Sequence, residues 1–547
     1  MKLSTLLETI DPIRIGSVKA DRQEQRAKER NNDYQPDALG SRLYRSDPDP
    51  EIGSIHCRAQ DVQPGGLFVA LKGQRADGHD FIEEALARGA AAVVTQNPAG
   101  TPRVNGGNDS PPRDDPISVQ VTDTRAALAS MAARFYENPS ERLTLIGITG
   151  TNGKTTTSYL IESILSTAGL AVGVIGTINY RYAGQTFTNP MTTPESLDLQ
   201  RILAEMVRAR VTHVVLEASS HAIELQRIKN CRFAVGVFTN LSQDHLDFHG
   251  DMQSYWNTKK RLFTEYLNAG RPRASTTAVI NCADAKGREL AAMLPMRVLT
   301  TGRTPDCLIT ASATHCDLSG IHGNITTPAG HFDFHSRLVG NHNLENILCA
   351  TGVGLALNLP LNVIPAGLQR VAAVPGRLEQ IPNATGRHVY VDYAHTPDAL
   401  ENVLSALKAV TSDRIICVFG CGGDRDNAKR PLMGEIAARL CDLAVITSDN
   451  PRTEAPLAII DQIVSGIKRA QTYPYTLAEL DADWTARGFV IEPDRHRAIR
   501  LGIHLTRRGD TVLIAGKGHE TYQIIGATRI AFDDRQEAAQ ALASVAN

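Results

Sequence analysis

The sequence predicts an α/β fold in three domains, and three observations carry that expectation. The chain has 547 residues, too many for one core when domains run to roughly 150 residues each. Short apolar runs of strand length alternate with helical patterns over most of its length, as in mostly parallel sheets covered on both faces. Several of those runs end in dense polar motifs, which is where open α/β sheets bind ligands. The expected domains are residues 1–139, 140–378 and 379–547.

The first is a small α/β domain. Residues 66–71 (GLFVAL) and 90–95 read as strands, with a short helix over 81–88 between them. Two polar stretches, 21–50 and 97–116, are rich in charge or in Pro, Gly and Asp. Neither can bury much apolar surface, so both read as loops or disordered linkers. From about residue 142 strands are expected at 144–149, 171–176, 213–217 and 234–239, with helices such as 155–167 and 197–209 between them. A second alternation begins near 388, with strands at 388–392, 414–420, 443–448 and 511–515. These strands empty into DYAHTP, GCGGDRD, SDNPR and GKGHE, which makes the last domain Rossmann-like with its own ligand site.

Composition narrows the partners. Lys and Arg total 57 against 59 Asp and Glu, for a net charge of −2. That balance gives no reason to expect nucleic acid or an acidic membrane surface. Nine cysteines without a CxxC pair fit a reducing compartment better than a disulfide framework. The N-terminus has no signal-peptide core, and no apolar run is long enough to span a bilayer. The expectation is a cytoplasmic monomer acting on small molecules.

The chemistry is carried first by residues 150–157, GTNGKTTT, which follow the apolar run 143–149. A strand feeding a Gly-rich loop and then a helix cradles phosphates with backbone N–H groups; Lys154 adds charge and a Thr hydroxyl holds Mg²⁺. The usual P-loop has four residues between its first Gly and Gly-Lys. Here Ile148 stands at that first position and Gly147 one place too early. The central domain is therefore expected to be P-loop ATPase-like, with a variant loop.

Other motifs are less specific. Glu217 ends the strand VVLEA, where its carboxylate can reach a Mg²⁺ held by Thr155 or Thr156; a satisfied polar cluster is the alternative. Residues 240–250 (NLSQDHLDFHG) gather Asp244, His245, Asp247 and His249. Their spacing matches no HExxH or Cys/His zinc site, so an active-site loop is expected. Lys259, in YWNTKKRLF, reads from spacing alone as the solvated face of an amphipathic helix. Arg425 and Arg452 suit bidentate carboxylate recognition, and Glu520 suits an ammonium group. Together they suggest a zwitterion such as an amino acid, with a structural salt-bridge network as the alternative.

In combination these motifs resemble the Mur ligase family. GTNGKTTT, TTP (192–194), EASSH, DHLDFHG, YWNTKKRLF, GNHNLEN (340–346), VPGRLE (374–379), DYAHTP, GCGGDRD, DNPR and GKGHE occur in the family's order over nearly the whole chain. The resemblance implies a three-domain, ATP-dependent amide ligase. Its N-terminal domain would hold the UDP end of the substrate, its central domain ATP and Mg²⁺, and its C-terminal domain the incoming amino acid. The DNPR motif implies addition of meso-diaminopimelate to the D-Glu γ-carboxylate of UDP-MurNAc-L-Ala-D-Glu through an acyl phosphate, a step of peptidoglycan synthesis. A P-loop regulator or motor ATPase, which turns over ATP without an amino acid, is the competing class.

Residue roles follow from the resemblance. Gly150, Thr151, Asn152, Gly153, Lys154, Thr155 and Thr156 match the phosphate loop, and Asn341, Arg377 and Asp392 match positions around the nucleotide. Lys154, Glu217 and Lys259 match the catalytic set, with Thr155, Glu217 and Lys259 as metal ligands. Lys259 matches a lysine that the family carbamylates, which reverses the reading from spacing. Thr192, Thr193, Ser219 and Arg227 match positions that bind the muramoyl dipeptide, and Gln74, Arg75 and Ala76 a loop near the uridine. Arg425, Asp449, Asn450, Pro451, Arg452, Gly516 and Glu520 match the diaminopimelate site. The sequence departs from the family pattern at His56-Cys57-Arg58, where Asp-Ser-Arg is usual, and at Met191 and Leu225. Cys57 is a poorer hydrogen-bond partner than Ser.

Overall fold

The computed structural model describes residues 1–17, 49–73, 76–96, 116–269, 275–470, 472–480 and 484–545. The expected linkers lie outside the described residues except at 49, 50 and 116. The chain forms two compact units. One comprises Met1–Thr144, Thr193–Thr212 and His221–Arg232; the other comprises Leu145–Thr192, His213–Ser220 and Phe233–Asn547.

The first unit is built on a five-stranded sheet in the order Arg14–Ser17, Ile117–Gln120, Ala92–Thr95, Leu67–Val69, Ile55–His56. Only the first of these runs antiparallel to its neighbour. The expected strands at 66–71 and 90–95 and the helix at 81–88 appear slightly shortened, the helix as Ile82–Ala87. Helix Thr124–Phe135 starts where Asp123 accepts from the N–H groups of Arg125 and Ala126, satisfying two of the donors a helix start leaves open. Helix Ser196–Arg208 packs against it. That helix buries Leu199, Ile202, Leu203 and Met206, the i, i+3, i+4, i+7 stripe that a core-facing helix needs.

The second unit holds two large sheets. The first has eleven strands in the order Gly330–Ser336, Gly320–Thr327, Ile309–Asp317, Arg297–Gly302, Thr277–Asn281, Phe233–Phe238, Thr144–Thr149, His213–Glu217, Val172–Ile175, Asn179–Tyr182, Gln185–Thr188. Strands expected at 144–149 and 213–217 are found residue for residue. Their interiors, Leu145–Ile148 and Val214–Leu216, are buried and without polar side chains, as strands covered on both faces must be. The antiparallel hairpins at the two edges were not anticipated. Most of their residues are polar or at least half-exposed, with isolated buried ones such as Ile309, Ile321, Ile325 and Phe334, so they lack the apolar run that marks a central strand.

The second large sheet has seven strands in the order Glu379–Gln380, His388–Asp392, Thr511–Ala515, Ile415–Phe419, Leu443–Ile446, Gly488–Ile491, Tyr473–Pro474. All pairs are parallel except the first. A hairpin, Tyr522–Ile525 with Thr528–Ala531, follows the strand that ends in GKGHE.

Candidate active site

The phosphate loop is shaped by two glycines that no other residue can replace without strain. Gly150 leaves strand Thr144–Thr149 with φ of 148°. A Cβ there would lie 1.9 Å from Thr239 Oγ1. Gly153 caps helix Lys154–Thr167 with φ of 84°, and its Cβ would lie 2.3 Å from Asn346 Oδ1. Between them, Thr151 N–H donates to Asn240 O at 2.9 Å and Asn152 N–H to Asn240 Oδ1 at 2.9 Å. Thr239 Oγ1 donates to Asn152 O at 2.6 Å. The loop is thus tied to the end of the adjacent strand, Phe233–Phe238. Lys154 Nζ folds back to donate to Gly150 O at 2.9 Å and Thr151 O at 2.8 Å. Burial lowers the pKa of Lys154, with Glu217 and Asp244 opposing.

Glu217 ends its strand 1 % exposed. It accepts from Thr155 Oγ1 at 3.1 Å, from Thr177 Oγ1 at 2.7 Å and from Thr177 N–H at 3.2 Å. A hydroxyl of the phosphate loop and a buried carboxylate thereby converge at neighbouring strand ends. Thr156 is buried on the same first turn.

Lys259 corrects the reading from spacing. Its helix, Met252–Arg261, buries Tyr255, Trp256, Thr258 and Lys259, so the lysine sits one turn beyond Tyr255 on the inner face. It is 1 % exposed. Its Nζ donates to Gly150 O at 2.8 Å and lies 4.4 Å from the Tyr255 ring centroid. Burial pushes its pKa well below the ordinary lysine value, Lys154 pushes the same way, and Asp244 opposes. Asp244 itself is held below the usual carboxylate range. Burial would raise it, but His245, His395 and Lys429 outweigh that. His249 Nε2 pairs with Ser220 Oγ at 3.0 Å. Among the described residues, no group of three or more His, Cys, Asp or Glu is arranged to hold a metal ion.

The seven-stranded sheet contributes to the same loop. Arg377 Nη2 lies 3.4 Å from Thr155 Oγ1, and its guanidinium stacks 4.5 Å from the Tyr393 ring centroid. Asp392, 6 % exposed, accepts from Leu378 N–H at 2.6 Å and Ala394 N–H at 2.7 Å, which holds the segment bearing Arg377. Burial raises the Asp392 pKa against the Arg377 charge. Asp398 Oδ2 accepts from Asn152 Nδ2 at 2.7 Å and Ser242 Oγ at 2.9 Å. Asn341 begins helix Asn341–Ala356 and is exposed.

A second cluster lies at the strand ends of the seven-stranded sheet. Arg425 and Arg452 flank Gly422. A Cβ on Gly422 would lie 3.0 Å from Arg452 Nη1 and 3.8 Å from Arg425 Cγ. Arg452 Nη1 donates to Gly423 O at 2.7 Å, and Arg425 is exposed. Asp449, Asn450 and Pro451 are buried. Asn450 Nδ2 donates to Glu520 Oε2 at 3.0 Å. Gly516, with φ of 113°, leaves room for Asp449 Oδ2, which would stand 3.2 Å from a Cβ. Lys517 Nζ binds into this group at 3.1–3.4 Å.

The remaining expected residues are divided between the units. In the second, Thr192 Oγ1 lies 3.1 Å from Thr177 Oγ1, and Ser219 is half-buried. In the first, Thr193 is fully buried. There Arg227 donates to Thr193 O at 3.3 Å and pairs with Glu195 at 3.4 Å. Ala76 O accepts from Gly73 N–H at 2.9 Å. Gln74 and Arg75 lie outside the described residues. The Cys57 thiol is pushed up to about 11, first by burial and then by Glu195.

Three family models match the chain in order: Mur ligase family, catalytic domain, over residues 51–136; Mur ligase middle domain over 148–354; and Mur ligase, glutamate ligase domain, over 376–518. The chain belongs to the Mur ligase family. A relative in Geobacter metallireducens is 48 % identical over 491 residues, 90 % of this chain and 94 % of its own. One in Geobacter sulfurreducens is 46 % identical over 500 residues, 91 % of this chain and 96 % of its own. Both are named UDP-N-acetylmuramoyl-L-alanyl-D-glutamate–2,6-diaminopimelate ligase. A solved structure of a ligase of that name aligns with a TM-score of 0.61 at 30 % identity, covering 98 % of this chain and 100 % of the other.

In this Mur ligase the structure adds residues that motif reading passed over. Asn346 and Asp398 hold the phosphate loop together with Asn240, which begins the loop expected at the site, and Lys517 joins the second cluster. Asn346 lies within GNHNLEN, Lys517 within GKGHE, and Asp398 directly after DYAHTP, so the signal was position inside or beside a recognised motif.

Proposed function

We propose that this chain is the ATP-dependent ligase that joins meso-diaminopimelate to the D-Glu γ-carboxylate of UDP-MurNAc-L-Ala-D-Glu in peptidoglycan synthesis. The observation that carries the reading is the convergence of Lys154, Lys259 and Glu217 on one short phosphate loop, with Arg377 reaching it from the seven-stranded sheet. The relatives' names supply the substrates.

A carboxylate resists attack by an amine because its leaving group would be oxide. Transfer of the γ-phosphoryl group of ATP to the carboxylate oxygen makes an acyl phosphate. The amine then attacks the carbonyl carbon, the C–O bond to phosphate breaks, and the amine loses a proton. Backbone N–H groups of residues 153–155, at the start of helix Lys154–Thr167, and the Lys154 ammonium hold the ATP phosphates. Arg377 offsets charge on the transferring group. Asp449 to Arg452, Arg425, Gly516 and Glu520 receive the zwitterion, guanidinium to carboxylate and carboxylate to ammonium.

The oxygen donors Thr155 Oγ1 and Glu217, 3.1 Å apart, suit a hard cation. Mg²⁺, when bound, supplies positive charge to the transferring phosphoryl group, with Thr155 and Glu217 as ligands of one ion and Lys259 of a second. Lys259 fits that role only as a carbamate. Its burial favours the neutral amine, which is the form that adds to carbon dioxide, forming N–C and releasing a proton. Thr192, Thr193, Ser219 and Arg227 are assigned to the muramoyl dipeptide, Gln74 to Ala76 to the uridine end, and Asn341 and Asp392 to the nucleotide. The division at 139/140 and 378/379 belongs to the same proposal, supported by three sheets whose strands fall within those limits. So does action as a monomer in the cytoplasm; among the described residues no helix is long and apolar enough to cross a membrane.

The test is phosphate release from ATP with UDP-MurNAc-L-Ala-D-Glu, with and without meso-diaminopimelate, lysine or glutamate. Release dependent on meso-diaminopimelate is expected. Dependence on lysine alone would overturn the amino-acid assignment, and turnover indifferent to every amino acid would overturn the ligase.

A further inference from the structure

Lys517 is fully buried, and all three of its side-chain hydrogen bonds go to residues assigned above to the amino acid. Its Nζ lies 3.4 Å from Asp449 Oδ1, 3.1 Å from Asn450 Oδ1 and 3.1 Å from Glu520 Oε2. The same oxygens carry the rest of the network. Asn450 Oδ1 also accepts from Ile524 N–H at 2.9 Å, and Glu520 Oε2 also accepts from Asn450 Nδ2 at 3.0 Å. Glu520 Oε1 takes no hydrogen bond from any described residue. Two strand ends distant in sequence, SDNPR and GKGHE, therefore meet at one ammonium, and the hairpin that follows GKGHE holds Asn450 through the Ile524 N–H.

We propose that Lys517 is a positioning residue for the incoming amino acid: it cancels one of the two carboxylate charges of Asp449 and Glu520 and fixes Asn450 and Glu520, leaving Glu520 Oε1 free to accept the substrate ammonium. This rests on the ligase reading and extends it to a residue that does not itself touch substrate. Two carboxylates sharing a buried site repel each other, and a buried charge left unpaired is costly. One cation between them leaves a net single negative charge, matched to one ammonium. Removing it leaves two, with Asn450 no longer held on its carbonyl side except by Ile524. Burial already raises the Glu520 pKa, and Lys517 is the first influence opposing it. The other charged and titratable groups acting on Asp449 or Glu520 are Arg495, Tyr393, Tyr522, His395 and Cys421. None of them hydrogen-bonds to Glu520 Oε2, so none stands in for Lys517.

The experiment is steady-state phosphate release by full-length wild type, K517M, E520Q and the double variant K517M/E520Q, each titrated separately with meso-diaminopimelate and with ATP. Wild type must first show release dependent on meso-diaminopimelate; if it does not, the ligase reading fails and Lys517 is not at issue. K517M is expected to raise the KM for meso-diaminopimelate tenfold or more, with the KM for ATP within twofold. In the double variant the two effects are expected to combine to less than their product, because E520Q removes the carboxylate that Lys517 balances. An unchanged KM for meso-diaminopimelate, equal rises in both KM values, or effects that multiply independently would overturn the proposal. If K517M loses its cooperative unfolding transition, K517Q, which removes the charge and keeps a hydrogen-bonding side chain, decides. A raised KM for meso-diaminopimelate alone supports the positioning role, and unchanged or equally raised values overturn it.

Discussion

Replacing Gly153 with alanine separates backbone strain from collision at the phosphate loop, because the chain contains its own control. Gly153 and Gly169 stand at the two ends of the same helical segment with nearly the same φ, 84° and 79°. A Cβ on Gly169 meets nothing within 4 Å, whereas one on Gly153 falls 2.3 Å from Asn346 Oδ1. Both variants pay about 1–2 kcal/mol for a left-handed non-glycine residue, less about 0.4–1 kcal/mol from a stiffer unfolded chain. G169A should therefore cost between about 0 and about 1.6 kcal/mol. Gly153→Ala must also displace Asn346, which is 4 % exposed and held at both ends. Thr157 Oγ1 donates to its Oδ1 at 3.2 Å, and its Nδ2 donates to Asn343 Oδ1 at 3.0 Å. Losing both bonds adds about 1–3 kcal/mol at roughly 0.5–1.5 each. The difference between the variants is the sharper quantity, since the backbone terms cancel. Urea unfolding followed by the fluorescence of Trp256 and Trp484 measures it, and ATP titration should show a KM raised about tenfold or more in G153A only. A G153A variant as stable as G169A, with unchanged ATP affinity, would refute the argument that Asn346 sets the loop.

Three further outcomes follow from the site. K259A should lose about a hundredfold or more in kcat; wild type stripped of carbon dioxide should lose activity and regain it with bicarbonate, and full activity in K259A would sink the carbamate. G422A pushes on Arg452 Nη1, the far end of a flexible side chain, so its KM for meso-diaminopimelate should rise about tenfold through the lost Arg452–Gly423 bond while the KM for ATP stays put; a rise in the ATP value instead would contradict the assignment. Burial, then Arg377 and Arg535, lower the His519 pKa from 6.5 to about 3, so the unfolded chain binds more protons than the folded one between those values. Stability should fall as pH drops from 6.5 toward 3, and H519N should show a shallower slope; equal slopes in urea unfolding from pH 7 to 4 would remove His519 from that account.

The central strands were legible because burial on both faces forces an uninterrupted apolar run. Residues 145–148 and 214–216, inside strands Thr144–Thr149 and His213–Glu217, satisfy that. The edge hairpins were not, because a strand such as Gln185–Thr188 is largely exposed and needs no apolar pattern; its pairing with Asn179–Tyr182 is fixed by the turn at Ala183 and Gly184, both at positive φ. The linkage of 193–212 and 221–232 with the N-terminal residues is likewise invisible to a reading that moves along the chain, since it rests on contacts between distant segments such as helices Thr124–Phe135 and Ser196–Arg208.

Among site residues, legibility tracked whether the chemistry is local. Gly150 to Lys154 announce themselves because the loop's job requires small residues, a cation and a helix start within a few positions. Lys259 carries no such mark. Its neighbours in sequence include Lys260 and Arg261, and a run of three cations reads as a solvated face. What singles out Lys259 is Gly150 O, 109 residues away. Lys517 is the same case, since its partners Asp449 and Asn450 arrive from another strand end. A lysine's meaning lies in whether it keeps water, and that is decided by tertiary packing. Both lysines are at most 1 % exposed, and a buried cation has to be paired, neutral or modified. Lys517 is paired by Asp449 and Glu520. Among the described residues Lys259 is met by a carbonyl and a ring, and burial and Lys154 hold its pKa well below the ordinary lysine value against the charge of Asp244, so the fold favours the neutral amine over the ammonium.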